Sequence, residues 1–394
     1  MIFNELSYFV FFLFPAATVF HLVSRAARPW TLVLFGAAFF VYFGYLHFGG
    51  LWGALSVVIF VWEMMTSRLY RPGSRWCIFG IVQALALLIA FKYLTFATDS
   101  WNDFAVATHL PKLSGAGRWI LPLGISFFTF EFIHFAADSY RGKIVRPPVA
   151  DYAAFILFFP SMVAGPIKRF QDFGPKLRAA EFDPALVTRG VTRILVGLAK
   201  KVAVADTFAI LARKLNGPEL YSAHWYQIAA WILCYGMQIY FDFSGYSDIA
   251  IGSGYLFGIV IPENFNWPYL SRNVAEFWHR WHISLSSWIR DYVYFPLGGS
   301  RRGSARTNLN LLVAFGLSGI WHGAAYNFGL WGIWHGVLLI AHRQWTTRFP
   351  GLSARVPTTL AVGMTYLTVN FGWAFFCMDL HRTLVAISRM ARLT

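Results

Sequence analysis

The sequence predicts an all-α polytopic membrane protein, on three observations. Charged residues make up 13% of the 394 positions and hydrophobic ones 57%, against about 25% charged in an ordinary soluble domain. Apolar runs close to the ~20 residues needed to cross ~30 Å of hydrocarbon recur along the chain. Most Lys and Arg sit in the short gaps between those runs, as in the loops of membrane proteins. A water-soluble fold has no interior large enough for 40 Phe and 17 Trp. The net charge of +15 is therefore read as membrane topology and not as nucleic-acid binding.

Taken in order, the candidate spans are residues 6–23, 31–48, 51–66, 76–97, 119–136, 191–211, 225–243, 309–325, 326–342 and 357–377. With allowance for short or polar runs, this gives a bundle of about 10–12 helices. No Lys or Arg precedes Arg25, so the first run reads as a retained anchor and not a cleaved signal. Basic gaps at 24–30, 67–75 and 137–152 alternate with gaps at 49–50 and 98–118 that carry no net charge. The positive-inside rule then puts the N-terminus outside and the basic gaps in the cytoplasm.

Two stretches break this pattern. Residues 153–167 are apolar but short, contain Pro160, Gly165 and Pro166, and have basic segments on both sides. Residues 264–303 are rich in aromatics, yet broken by Pro268, Pro296, Gly298 and Gly299. Lipid offers no replacement partner for the backbone groups that Pro and Gly leave open. Residues 153–167 are expected to form a re-entrant hairpin returning to the cytoplasmic side, and residues 264–303 to line an internal cavity or lie at the interface. No internal repeat or soluble linker is visible, so residues 1–394 are read as a single integral-membrane domain. Cys77, Cys234 and Cys377 are each isolated in apolar runs and read as small buried hydrophobes.

Ionisable groups at membrane depth are expensive and usually face a cavity or pathway. Four clusters stand out: Trp278-His279-Arg280-Trp281-His282-Ile283-Ser284, Gly319-Ile320-Trp321-His322-Gly323, Trp334-His335-Gly336, and Tyr240 to Asp248. Asn273 and Glu276 form a cap-like start to a helix near Val274, on which His279 and His282 would share a face. The bland reading of a bundle histidine is a hydrogen-bonded structural residue. His279, His335, His21, His47, His134 and His342 are placed there. Asp242 and Asp248 are read as fixing a short helix break. His279 and His282 could give a metal two ligands, but no third is near in sequence, so no metal is expected. No nucleophile elbow or phosphate loop occurs. What the chain offers is imidazoles that can move protons near neutral pH.

At these residues the sequence resembles the membrane-bound O-acyltransferase (MBOAT) family. It is most similar to the bacterial branch that serves alginate and peptidoglycan O-acetylation and teichoic-acid D-alanylation. The resemblance is carried by Leu123 to Phe130, Phe159 to Ile167, Gly197-Leu198-Ala199-Lys200-Lys201, Gln238 to Asp248, Pro262-Glu263-Asn264-Phe265-Asn266, Glu276 to Ser286, and Trp321-His322-Gly323. It implies a central tunnel and two catalytic histidines, His322 and His282. His322 would be the general base on an acceptor hydroxyl. His282 would position the thioester or stabilise the oxyanion.

The resemblance further implies a multi-pass protein of the bacterial cytoplasmic (inner) membrane with no tightly bound cofactor. The acyl donor would be acetyl-CoA or a carrier-protein thioester. The partners implied are membrane lipid, an extracytoplasmic acyltransferase protein, a polysaccharide acceptor and an acyl carrier protein, without nucleic acid. D-alanyl transfer to teichoic acid and a proton-coupled transporter or flippase are the competing readings. His279 and Cys377-Met378 stand where relatives carry arginine-containing sequences.

Overall fold

The computed structural model describes residues 2–48, 52–113 and 121–392. The gap at 49–50, the first residue of the 51–66 run, residues 114–120 and the side chain of His47 lie outside the described residues. The chain is 79% helical, with no strand among the described residues. Contacts divide it into two compact units, Met1–Val196 with Tyr246–Pro262, and Gly197–Gly245 with Glu263–Thr394.

A π-helical turn, Tyr8–Leu13, leads into α1 (Phe14–Leu22), followed by α2 (Arg28–Phe48), α3 (Trp52–Ser67), α4 (Arg75–Thr108) and α5 (Ile125–Tyr140). The 153–167 stretch then breaks into short pieces, the end of α6 (Val149–Ile156) and α7 (Phe159–Met162), and α8 (Phe170–Ala179) follows it. Pro160 sits in the first turn of α7, where its missing N–H has no helical acceptor to lose. α9 (Pro184–Ala199) passes through a π-helical segment into α10 (Asp206–Ala212). Among the described residues, α2 over Arg28–Leu46, α4, and Thr358–Cys377 further on meet the length and hydropathy expected of membrane spans.

The first unit buries polar groups in pairs. Lys168 and Glu131, 1% and 2% exposed, form an ion pair of 2.7 Å, and the Lys168 ammonium lies 4.9 Å from the Phe155 ring centroid. Glu63 accepts hydrogen bonds from the hydroxyls of Tyr70 and Tyr152 at 3.2 and 3.1 Å and from Gln83 at 2.8 Å. His21 Nε2 donates to the Leu256 carbonyl at 2.8 Å. His134 Nε2 accepts from the Phe170 N–H at 3.1 Å. These two histidines carry the hydrogen-bonded structural role expected of them.

α11 runs unbroken from Trp225 to Leu256, which corrects the expected break at Asp242–Asp248. The Gly and Ser residues there serve close packing. A Cβ on Gly245 would lie 2.7 Å from the Gly197 carbonyl oxygen, so the position tolerates only a hydrogen. The two carboxylates are held by cations on the helical segments before α11: Asp242 pairs with Lys201 at 2.8 Å, and Asp248 with Arg193 at 2.9 Å.

The 264–303 stretch becomes α12 (Val274–Arg280), α13 (Ile283–Ile289) and a π-helical turn, Arg290–Tyr294. α14 (Gly303–His322), α15 (Tyr326–Arg348), α16 (Pro350–Arg355), α17 (Thr358–Cys377) and α18 (Leu380–Arg392) complete the chain. α14 and α15 form a tight antiparallel hairpin. A Cβ on Gly319 would meet the Phe328 carbonyl oxygen at 2.3 Å. This second unit has a largely aliphatic cluster that includes Leu215, Ile228 and Met378, and an aromatic one in which Phe277, Trp278, Trp281, Trp331 and Trp373 pack with Val274 and Val369.

Candidate active site in the second unit

The Asn273–Glu276 cap forms as its residues dictate. The Asn273 side chain accepts from the Glu276 N–H at 2.8 Å, and Glu276 Oε2 reaches back to the Arg272 N–H at 2.8 Å. Glu276 also pairs with Arg280 at 2.6 Å. α12 thus begins where expected, but it ends at Arg280.

His282 lies beyond that end. Its backbone is left-handed, at φ +44° and ψ +53°, a conformation costing a non-glycine residue ~1–2 kcal/mol. The turn therefore separates His279 from His282 and overturns the expectation that they share a helical face. His279 is exposed, whereas His282 is 2% exposed. The H-x-x-H pair does not converge as metal ligands.

Three hydrogen bonds from residues 264–266 hold the strained turn. The Asn266 N–H donates to the Arg280 carbonyl at 2.9 Å, and the Ile283 N–H to the Asn264 carbonyl at 3.0 Å. The Ser284 N–H donates to Asn264 Oδ1 at 3.2 Å. Asn264 is fully buried. Its Oδ1 also accepts from Ser284 Oγ at 2.9 Å and lies 3.2 Å from His282 Nδ1. The other face of the imidazole is covered by Phe243, edge to face at 4.7 Å. His282 Nε2 is buried and has no hydrogen-bond partner among the described residues. Burial without a compensating charge pushes the imidazole down to about 3, so the ring is neutral.

His322 is the last residue of α14 and is partly exposed. Its ring packs edge to face against Trp321 at 4.7 Å, Trp331 at 5.0 Å and Phe376 at 5.1 Å. Gly323 follows because a Cβ there would sit 2.0 Å from the Phe328 ring. Trp331 also contacts Trp373 at 5.8 Å, and Trp373 contacts Trp281, the residue before His282, at 4.9 Å. His322 thus packs on the aromatic cluster, whereas the His282 ring meets Phe243 and adjoins the cluster through its chain neighbour Trp281.

His335 is enclosed in the same cluster, 5.0 Å from Trp278 and 5.1 Å from Trp331. It is fully buried, and neither ring nitrogen has a hydrogen-bond partner. The expectation of a hydrogen-bonded structural histidine is corrected here: among the described residues, aromatic packing and not hydrogen bonding holds the ring. Beside the cluster lies a mostly apolar cavity of about 310 Å³, whose lining includes Trp278, His279, Ser286, Arg290, Phe315 and Ser318. Ile283, next to His282, and Ser318, one turn before His322, both line it.

Asn264 is the site residue that sequence reasoning did not single out. It stands inside the quoted Pro262 to Asn266 motif, but nothing local in that motif reveals a partner eighteen positions later.

The comparisons with known proteins converge on one family. The sequence model of MBOAT, the membrane-bound O-acyltransferase family, matches residues 131–379, a stretch containing Asn264, His282 and His322. A probable alginate O-acetylase of Pseudomonas aeruginosa is 41% identical over 322 residues, covering 78% of this chain and 58% of the relative. A Helicobacter pylori peptidoglycan O-acetyltransferase is 33% identical over 329 residues, covering 76% and 61%. A Bacillus subtilis teichoic acid D-alanyltransferase is 33% identical over 279 residues, covering 64% and 68%. The chain thus spans about three fifths of the length of the alginate-type relatives it matches. With the matched model covering more than half its residues, the chain belongs to the membrane-bound O-acyltransferase family.

Proposed function

We propose that this chain is a transmembrane O-acyltransferase. It passes an acetyl group from acetyl-CoA on the cytoplasmic side outward, for O-acylation of a cell-surface polysaccharide. An extracytoplasmic partner protein completes the delivery. What supports this reading is the family match over residues 131–379, which contains His282 and His322, together with a cavity lined by Ile283, the residue after His282, and Ser318, one turn before His322.

His322, partly exposed at a helix end, acts as general base. It takes the proton of the acceptor hydroxyl as that oxygen attacks the thioester carbonyl carbon. The C–S bond breaks, and the proton passes from the imidazole to the departing thiolate. Such assistance contributes about 10²–10⁴-fold. His282 is buried and neutral and positions the thioester. The cavity's apolar walls suit a pantetheine arm, with His279 and Arg290 among its polar lining residues.

The relatives named as D-alanyltransferases favour a second donor, an aminoacyl thioester on a carrier protein. Labelled acetyl-CoA supplied to purified protein separates the two, because retention or turnover of acetyl selects the first. The decisive variant is His322→Ala. Acyl transfer should fall by about 10²–10⁴-fold with an unchanged melting temperature, whereas undiminished transfer sinks the assignment. Mass spectrometry of surface glycans with and without the protein identifies the acceptor.

A further inference from the structure

We infer that Asn264 is a positioning residue that locks the proton of His282 on Nδ1, so that His282 enters the reaction as a hydrogen-bond acceptor through Nε2. The inference deepens the acyltransferase reading and rests on it for the word "reaction", but not for the tautomer.

The chain of assignment starts from a group with no ambiguity. A backbone N–H can only donate, and the Ser284 N–H points at the Asn264 side-chain atom at 3.2 Å. That atom is therefore the carbonyl oxygen, and the amide cannot be flipped. A carbonyl oxygen can only accept. His282 Nδ1, 3.2 Å from the same oxygen, must then carry the hydrogen that it donates. A neutral imidazole has one N–H, so Nε2 holds an unshared pair. Nε2 is buried without a partner, a cost that native structures usually accept only for a reason.

The consequence divides the two roles open to His282. Stabilising an oxyanion requires an N–H aimed at the developing charge. In this tautomer Nε2 has none, and Nδ1–H is already given to Asn264. His282 can instead accept a hydrogen bond from a hydroxyl or amide group of donor or acceptor, which fits positioning. Fixing a ring by a carbonyl on its far nitrogen is how working imidazoles are held in one tautomer. The same asparagine grips the left-handed turn through its backbone carbonyl, which receives the Ile283 N–H at 3.0 Å. Tautomer and ring direction therefore depend on one residue.

Nitrogen-15 spectroscopy of histidine-labelled protein in liposomes tests the tautomer without any substrate, with the His282 signals assigned by their loss in His282→Asn. A protonated Nδ1 and bare Nε2 at neutral pH are expected, and a hydrogen on Nε2 overturns the inference. Turnover of labelled acetyl-CoA gives the second arm. Asn264→Ala should lower kcat by about 10–100-fold with KM changed less. Asn264→Asp keeps an acceptor oxygen and should restore at least a tenth of the wild-type kcat. A purely structural asparagine would show the same melting defect in both variants, with kcat following folded protein. Wild-type kcat in Asn264→Ala also overturns the inference and leaves the acyltransferase reading standing. If the wild-type protein turns over no acyl donor, that reading falls, and the spectrum alone decides the tautomer.

Discussion

The carboxylates buried in the first unit and the imidazoles buried in the second are held differently. In the first, Glu131 meets Lys168 at 2.7 Å, and Glu63 is gripped by Tyr70, Tyr152 and Gln83. Each carboxylate has named donors, and the ammonium has an aromatic floor. In the second, His282 and His335 are just as buried, yet His282 Nε2 and both nitrogens of His335 have no hydrogen-bond partner, as do the indole nitrogens of Trp278 and Trp331. A low-dielectric interior penalises an unpaired polar group. Carboxylates met by a cation or by several donors therefore read as scaffold, whereas a spare imidazole nitrogen does not mark function by itself: His21 Nδ1 in the first unit is also buried without a partner among the described residues, and His282 is set apart by its strained turn and by the Asn264 carbonyl that orients it.

The largest expected effect tests the scaffold half of this contrast. Lys168→Ala leaves Glu131 buried without its cation, and breaking a buried pair from one side costs about 3–5 kcal/mol. Folded, monodisperse protein in detergent should drop sharply, as measured by fluorescence-detected size exclusion. The double variant Lys168→Met with Glu131→Leu removes both charges and should recover most of the loss. If the double variant is as damaged as the single one, the pair is more than a scaffold.

A smaller effect concerns pH. Burial holds the His282 imidazole down at about 3, while an unfolded chain titrates near 6.5. Above 6.5 both states are neutral and the folded state has its full stability. As pH falls below 6.5 the unfolded chain gains a proton that the folded one refuses, so stability is lost. At pH 5.5 this amounts to about 1 kcal/mol from this group. Melting temperatures at pH 7.5 and 5.5 should therefore differ less in His282→Asn than in wild type. Asn suits the test because it tolerates the left-handed backbone. An unaltered difference would mean that His282 is protonated or solvated in the folded protein.

Local features were legible in the sequence, and tertiary ones were not. The helices of the apolar runs could be placed because length and composition alone require them, and the Asn273–Glu276 cap because its two bonds span four residues. The histidine face on α12 was misread because the turn at Trp281–His282 is held by Asn264, far away in sequence. The expected break at Asp242–Asp248 failed because Gly245 and its neighbours are small for packing, a need visible only once the Gly197 carbonyl lies beside them. Asn264 itself carried no local signal of its role. His322 was singled out only by the resemblance of Trp321-His322-Gly323 to the family, because Trp334-His335-Gly336 carries the same local pattern and was read as structural.

The smallest effect separates His335 from His282. Both rings are buried in aromatic surroundings, but only His282 has an orienting carbonyl. His335→Phe keeps a planar ring among Trp278, Trp331, Phe277 and Trp373 and removes two nitrogens that bond to nothing. Losing unpaired polar atoms is neutral or stabilising. The slightly larger ring works the other way, since a Cβ built on Gly372 would already stand 3.1 Å from His335 Nε2, and overpacking costs about 1–3 kcal/mol. The two terms oppose, and the net change in stability should stay within about 1 kcal/mol of zero, with acetyl turnover within about threefold of wild type. A tenfold or greater loss of turnover at unchanged melting temperature would make His335 a third working imidazole. Activity that needs His282 and ignores His335 would instead show that orientation, more than the leftover nitrogen itself, marks the ring that takes part in the chemistry.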